Sequence, residues 1–201
     1  MKPQHAGALK WALIILGILL VALVITIYFW QQAKTSDYFF TYNGFQFQQD
    51  QYGYKVTLYI NDQSIPATIH VREDPRTLEN ITVEGDVQVL RQKQQIYVTL
   101  DPEANLTAKT TIGALEIDSI IDNPYLFNIP VSSSFTKPYL NNTVRTCHDV
   151  TPQQGVILFQ TGEETIVLEN KGCIIVQGTT EDEIIRASDR LVYTLLKIMK
   201  P

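Results

Sequence analysis

Residues 173–198 read CIIVQGTTEDEIIRASDRLVYTLLKI, a short apolar run followed by a stretch with helical periodicity. The first six residues predict a buried strand, and the glycine that closes the run favours a turn. Thr180 and Glu183 have the spacing of a capping box, in which a hydroxyl and a carboxylate each satisfy a backbone N–H at the start of a helix. The segment therefore predicts a strand, a tight turn and a capped C-terminal helix.

One face of this C-terminal helix is apolar. Its apolar positions follow the spacing of an amphipathic helix: Ile184, Ala187, Leu191, Val192, Leu195, Ile198 and Met199. Upstream, strands are predicted at 156–160, 164–169 and 173–178, with hairpin turns at 161–163 and 170–172 because both turns contain glycine. The helix should pack its apolar face on the sheet that these strands form.

The preceding part of the outer region is predicted to be rich in β-strands. From Tyr38 to Leu100 apolar and polar residues mostly alternate, which half-buried antiparallel strands require. Residues 54–60, YKVTLYI, show the alternation most clearly. Asn-Gly, Asn-Asp, Asp-Pro and Glu-Gly-Asp sequences separate the runs and favour turns.

A helix is predicted over residues 102–121. Asp101 can cap exposed backbone N–H groups, and Pro102 suits the first helical position. Helical spacing continues at three apolar residues, Leu106, Ile117 and Ile120. A further strand is predicted at 126–136.

The N-terminal segment contains 23 consecutive residues without charge, WALIILGILLVALVITIYFWQQA at 11–33. As a helix, about 20 such residues cover about 30 Å, the thickness of the hydrocarbon core of a bilayer. Lys2 and Lys10 precede the run, and cationic flanks tend to remain in the cytoplasm. We therefore predict a signal anchor that leaves residues 1–10 in the cytoplasm and the C-terminal part outside.

A cleaved signal peptide is the alternative to an anchor. Its apolar region is usually about 7 to 15 residues long and ends in small residues, whereas this run ends in the bulky Tyr28-Phe29-Trp30. The fold expected is α+β. It comprises a cytoplasmic N-terminus, a transmembrane helix at 11–33, a β-rich extracytoplasmic region at 37–140, and a β-hairpin sheet with a packed C-terminal helix at 141–201.

The predicted outer part, residues 37–201, is acidic. It holds all 21 acidic residues and 13 of the 16 basic ones, a formal charge of −8. Phosphate backbones are bound by clustered Lys and Arg, and the basic residues here form no stripe. Nucleic acid is therefore not an expected partner. The expected contacts are the lipid bilayer, through residues 11–33, and one or more protein partners.

The two cysteines, Cys147 and Cys173, are predicted to form a disulfide, because thiols outside the cytoplasm tend to pair. Cys147 lies in the sequence TCHDV, beside His148 and Asp149, so a reactive thiol and a metal ligand are the alternatives. A nucleophilic thiol needs a base beside it, but neighbouring residues of a strand point to opposite faces. A zinc site usually needs four Cys or His ligands, and the outer part contains only two Cys and two His, which argues against a zinc site.

Three N-x-Ser/Thr sequons begin at Asn80, Asn105 and Asn141. Together they fit an extracytoplasmic chain. They predict that all three asparagines are exposed, as possible sites of glycosylation.

Other residues with catalytic potential have more ordinary interpretations. His70 is predicted to be exposed or paired with a nearby acid. The serine run at 132–134 lacks the G-x-S-x-G sequence that exposes a nucleophile. The acid pairs Glu73-Asp74 and Glu163-Glu164 suit solvated turns. Asp189-Arg190 is either an exposed helix pair or a link in which the arginine reaches an acid on the sheet. No catalytic, cofactor-binding or metal-ligating residue is assigned, and no cofactor is predicted.

A series of short sequences is spread over nearly the whole chain: Asn43-Gly44-Phe45, Pro75-Arg76, Glu79-Asn80-Ile81, Asp101-Pro102, Cys147, Cys173-Ile174-Ile175 and Asp189-Arg190. This series resembles a group of uncharacterised archaeal proteins, each with one N-terminal membrane span. The resemblance implies an anchored protein and carries no assigned activity.

These features predict a membrane-anchored extracytoplasmic protein that acts by interaction, as a component of an envelope or surface complex. An anchored extracellular hydrolase that uses carboxylates or His70 is one alternative. A ligand-capturing accessory subunit of a membrane transporter is another, because the aromatic residues between Tyr38 and Tyr59 could line a pocket.

Overall fold

The computed structural model describes residues 5–33, 38–59 and 67–201 and divides the chain into two compact units, Met1–Tyr38 and Phe39–Pro201. Helix α1 (His5–Ala33) lies in the first unit, and the side chains described in it are those of Trp11 and residues 13–28. All of its large apolar side chains that are described are exposed.

No helix in the described part of the chain combines the length and the apolar character needed to cross a membrane. The flanking charges of the predicted anchor, at Lys2, Lys34 and Asp37, lie outside the described residues, as does Ile60, the last residue of the predicted strand 54–60.

The rest of the described chain has the predicted α+β composition, with two sheets and two α-helices. The first sheet has the order β1-β2-β3-β4. Its strands are β1 (Tyr38–Tyr42), β2 (Phe45–Asp50), β3 (Gly53–Leu58) and β4 (Ala67–Val71). The turn between β1 and β2 uses Asn43 and Gly44, both with positive φ, as a tight hairpin requires.

The second sheet has six strands in the order β5-β9-β10-β8-β6-β7. They are β5 (Thr82–Glu84), β6 (Gln95–Leu100), β7 (Val131–Phe135), β8 (Gln154–Thr161), β9 (Ile166–Asn170) and β10 (Cys173–Gly178). Helices α2 (Ala108–Ile121) and α3 (Glu181–Leu195) pack against each other, and α3 packs on β10.

The predicted order of the C-terminal strands is only partly correct. Strands β9 and β10 form the expected antiparallel hairpin, but β8 and β9 are not neighbours, because β10 lies between them and pairs parallel with β8. The turn at 161–163 is therefore not a hairpin turn. VILF and CIIV both read as continuous apolar runs, and such runs do not reveal which strand lies between the others.

The predicted boundary between regions 37–140 and 141–201 does not divide the sheet. Strand β6, from the first region, pairs parallel with β8, from the second, and β5 pairs parallel with β9. Residues 39–201 thus form one unit.

Helix α2 begins six residues later than predicted. The Asp101 carboxylate accepts a hydrogen bond from the Glu103 amide in a turn that Asn105, with φ of 54°, helps to end. The N-cap of α2 is Thr107, whose hydroxyl accepts from the Lys109 amide. Similarly, β7 (Val131–Phe135) occupies only part of the predicted strand 126–136. The helix starts later than predicted because Asp101 and Thr107 can both cap backbone N–H groups, and the sequence does not show which of them begins the helix.

The apolar stripe of the C-terminal helix is confirmed as far as Leu195: Ile184, Ala187, Leu191, Val192 and Leu195 lie on α3 and are buried. Ile198 and Met199 are also buried, but they lie in the turn after α3, which ends earlier than predicted. Half of the predicted capping box is present: the Thr180 hydroxyl accepts from the Glu183 amide at 3.3 Å. The Glu183 carboxylate instead accepts from the Thr165 hydroxyl and from Arg186. The core reaches the first sheet through Phe47 and Tyr193, whose ring centroids are 5.9 Å apart.

Candidate functional site

The two cysteines form the predicted disulfide. Cys147 and Cys173 are bonded through their sulfur atoms, and their Cα atoms are 5.3 Å apart. Cys173 is buried on β10, whereas Cys147 begins a short 3-10 helix (Cys147–Asp149) and not the predicted strand.

The polar residues beside Cys147 have a capping role. The Thr146 amide and hydroxyl both donate to the Asp149 carboxylate, at 2.7 and 2.9 Å, and the His148 amide donates to the Thr146 hydroxyl. Hydrogen bonds from Thr146 lower the pKa of Asp149. His148 itself is exposed. The sequence TCHDV is therefore a capped turn with a disulfide, and not a nucleophile with its base.

The three sequon asparagines, Asn80, Asn105 and Asn141, are all exposed, which confirms that part of the prediction. Their modification stays a prediction.

The remaining predicted candidates lie in separate parts of the fold. His70 is exposed on β4, Ser134 is buried and donates to the Val98 carbonyl, and the turn acids Glu163 and Glu164 are exposed. Asp74 is buried, contrary to expectation, and caps a short 3-10 helix at Pro75–Thr77. Within residues 5–33, 38–59 and 67–201, no group of three or more His, Cys, Asp or Glu could hold a metal ion.

Asp189 and Arg190 are both buried, so the exposed alternative for this pair is wrong. Arg190 does cross from α3, but its guanidinium donates to neutral oxygens. Its Nε donates to the Ile81 carbonyl at 2.9 Å, its Nη2 to the Lys200 carbonyl at 2.6 Å, and its Nη1 to the Thr194 hydroxyl at 2.8 Å. The expected acid on the sheet is replaced by backbone carbonyls, which are acceptors that a sequence pattern does not display.

A buried carboxyl pair is the site that sequence reasoning missed. Asp189 on α3 is completely buried and lies in contact with Glu116 on α2. One oxygen of Asp189 accepts from the Arg72 and Glu73 amides at 3.0 and 2.7 Å. One oxygen of Glu116 accepts from the Arg72 side chain at 2.8 Å. The pair thus connects α2 and α3 to Arg72 and Glu73, the two residues that follow β4.

Close approach of the helices makes this contact possible. Gly113 faces Ser188, and a Cβ atom at residue 113 would lie 2.4 Å from the Ser188 Oγ. Burial raises the pKa of Glu116, and burial together with the neighbouring Glu116 carboxyl raises the pKa of Asp189 well above the ordinary value. No periodic or motif signal pairs residues 73 positions apart, so the sequence could not have pointed to this pair.

Above the pair lies a shallow depression of about 310 Å³, lined by Tyr52, His70, Val71, Arg72, Ile112, Leu115, Glu116 and Ser119. His70 and the acid Glu116 therefore share one surface feature. Asp189 is completely buried and does not line it.

The six-stranded sheet has a second face that is only partly covered. Core residues such as Ile174 and Ile157 face the helices, and the alternate positions face the other way. Cys147–Asp149 contacts β8 at one end of this second face. Further along, three residues stand side by side across the sheet and remain half-buried: Leu168 on β9, Ile175 on β10 and Leu158 on β8. We call this row the apolar strip.

Beside the apolar strip runs a row of amides. Gln177 pairs in register with Gln160, and the side-chain amide Nε2 of Gln160 donates to the side-chain oxygen Oε1 of Gln177 at 2.7 Å. An aliphatic row with a polar border is the composition that protein interfaces use.

The outer face of the four-stranded sheet carries a concavity of about 840 Å³. Its lining combines aromatic and polar side chains: Phe39, Phe45, Tyr59, Gln46, Gln48, Lys55, Thr57 and Thr68. The aromatic residues are among those that the sequence suggested as pocket-lining.

Comparison of the chain with protein-family models, with curated proteins and with solved structures finds no match. It gives the resemblance to archaeal anchored proteins no support. The function proposed below is therefore argued from this chain's own residues.

Proposed function

We propose that the chain is a single-pass membrane protein whose extracytoplasmic domain, residues 39–201, binds a partner protein through the apolar strip. The observation that carries the proposal is the row Leu168, Ile175 and Leu158, which is only half-buried in the middle of a sheet whose other face packs on the helices. Large aliphatic side chains in a central row lose contact with water when a second surface covers them, at about 25 cal/mol per Å².

The membrane anchor is proposed from the sequence, in which residues 11–33 form a charge-free run as long as a bilayer core is thick. The orientation is supported by the disulfide, because such bonds persist where the environment is oxidising. The acidic outer part, residues 37–201 with a formal charge of −8, favours a protein partner over nucleic acid.

The test is photo-crosslinking in intact cells, with a photoreactive amino acid placed at Ile175. We expect a discrete crosslinked product, which disappears when Leu158 and Leu168 are changed to Asn. The matched control is a photoreactive group at Leu115, which is 60% exposed on helix α2, and it should not give that product. Protease added outside the cells should digest the domain.

Equal products from Ile175 and Leu115 would contradict the assigned surface. A domain that resists external protease until the membrane is broken would contradict the anchor and its orientation. Crosslinking tests the binding surface, and protease digestion tests the anchor and its orientation. The two results are independent, so either part of the proposal can fail without the other.

Ligand capture is the second candidate, because the concavity on the four-stranded sheet combines aromatic faces with amide, hydroxyl and ammonium groups. Such a lining suits a small polar ligand that stacks on an aromatic ring. A ligand at one hundred times its Kd should raise the Tm by about 5 to 11 °C. A thermal-shift screen of sugars and amino acids checks this, and Tyr59→Ala should abolish any shift found. A hit that is unaffected by Tyr59→Ala would place binding elsewhere.

An anchored hydrolase has weaker support. Catalysis by paired acids requires that substrate and water reach the carboxyl groups. Asp189 is completely buried, and one of its oxygens already accepts two backbone amides.

A further inference from the structure

The contact between Glu116 and Asp189 leaves one oxygen of each carboxyl group without a conventional donor. Asp189 Oδ2 accepts from two backbone amides and Glu116 Oε1 accepts from Arg72. Asp189 Oδ1 and Glu116 Oε2 are buried, and neither accepts from any other group in the described part of the chain. Buried polar atoms are almost always hydrogen-bonded, so two such oxygens in adjoining carboxyl groups call for an explanation.

We propose that Glu116 and Asp189 share one proton at neutral pH, and that this carboxyl–carboxylate hydrogen bond fastens α2 to α3 and to the end of β4. Two ionised carboxylates in contact would repel each other, whereas one shared proton gives both orphaned oxygens a partner. The proton belongs to the pair, because coupled groups titrate together.

The charges around the pair compensate for one negative charge. Arg72, at the end of β4, is the cation in contact with Glu116. His70 on β4 lines the same depression as Glu116. The other ionisable groups that face the pair or its neighbour Tyr193 are acids and tyrosines: Glu73 and Asp74 after β4, Tyr54 on β3 and Tyr193 on α3. A second negative charge in the pair would face Glu73 without a further cation. The surroundings therefore favour the singly protonated pair.

Loss of the proton should loosen this junction. Glu116 is the member that reaches the surface depression, and its partner Arg72 is half-exposed. On deprotonation, Glu116 and Arg72 can turn outward together while Asp189 keeps its backbone amides. The depression between β4 and α2 would then open at alkaline pH. The pair is thus a pH-sensitive contact between α2 and α3.

The sign of the pH effect on stability follows from the direction of the pKa shifts. Both carboxyl groups have pKa values raised above the ordinary value of about 4, so the folded chain retains a proton that the unfolded chain has lost. Stability contributed by the pair is therefore greatest at low pH. It falls as the pH rises from about 4 through the raised pKa, and levels off above it.

The decisive variants are Asp189→Asn and Glu116→Gln, because each amide can donate where the shared proton does. The full chain in detergent micelles should show a Tm that falls between pH 5 and pH 9 in the wild type. Asp189→Asn should lack the decrease in Tm that comes from deprotonation of the pair. Its Tm at pH 9 should therefore be about 3 to 5 °C above that of the wild type. The isosteric control Glu164→Gln, in an exposed turn, should follow the wild type.

Infrared spectroscopy gives a readout that a merely structural role would not change. At neutral pH the wild type should show the C=O absorption of one protonated carboxyl group, and Asp189→Asn and Glu116→Gln should each abolish it. If either variant keeps the band, or the pH dependence of the Tm is unchanged in both, the proposal is overturned. It is also overturned if neither variant folds at any pH, since each should preserve the hydrogen bond.

Discussion

Replacing Arg190 with alanine should lower the free energy of unfolding by about 3 to 5 kcal/mol, the largest loss that we expect from a single substitution. Arg190 is 4% exposed, and its guanidinium donates hydrogen bonds to two backbone carbonyls and one hydroxyl. Alanine would leave these three acceptors without their donor and leave a cavity where the side chain packed. Urea unfolding of the full chain in detergent, followed by circular dichroism, measures the change.

The same helix supplies a matched control for this substitution. Arg186 lies one turn earlier and also donates to a backbone carbonyl, that of Thr77, but it is more exposed and forms a surface ion pair with Glu183. Arg186→Ala should cost about 1 kcal/mol, since exposed pairs contribute little. If Arg190→Ala costs no more than Arg186→Ala, the three buried hydrogen bonds of Arg190 do not stabilise the fold as argued. Photo-crosslinking at Ile175 should be unchanged in Arg190→Ala under conditions where the variant is folded.

Removal of the disulfide by the double change Cys147→Ala and Cys173→Ala should cost about 3.5 kcal/mol. The two cysteines are 26 residues apart, so the bond restricts a long loop in the unfolded chain. The corresponding fall in Tm is about 7 to 14 °C for a domain of this size. Thermal unfolding of the full chain, with and without reductant, measures it.

Reductant provides the internal control for the disulfide. It should lower the Tm of the wild type toward that of the double variant and leave the double variant unchanged. A wild-type Tm that does not respond to complete reduction would show that the bond contributes no stability. Chain isolated from cells with a free thiol at Cys147 would instead contradict the extracytoplasmic location.

Several parts of the fold were predictable because their signals are local. The stripe from Ile184 to Leu195 identified residues that α3 buries, since every fourth or third residue of a helix shares a side. Alternation identified the region after Tyr38 as rich in strands and β3 most clearly, because side chains of a strand point to opposite faces in turn. The disulfide followed from there being only two cysteines and from the predicted compartment.

The sequence did not determine how those elements combine. VILF and CIIV are apolar on both faces, so either could occupy the centre of a sheet, and only the folded chain shows β10 between β8 and β9. The sequence also did not determine where α2 begins, because Asp101 and Thr107 can both cap a helix. The Glu181 carboxylate, far along the chain, accepts hydrogen bonds from the Thr107 amide and hydroxyl and so favours Thr107 as the cap.

By itself, the sequence determined the apolar N-terminal run, the capped C-terminal helix and the strand-rich segment that includes β3, because spacing along the chain encodes each of these. It determined the pairing of the two cysteines because the chain has only two. Only the tertiary structure decided the strand order, the buried acceptors of Arg190 and the meeting of Glu116 with Asp189. Those contacts join residues that are distant in the chain, and their energies depend on burial, which arises only when the helices and sheets pack together.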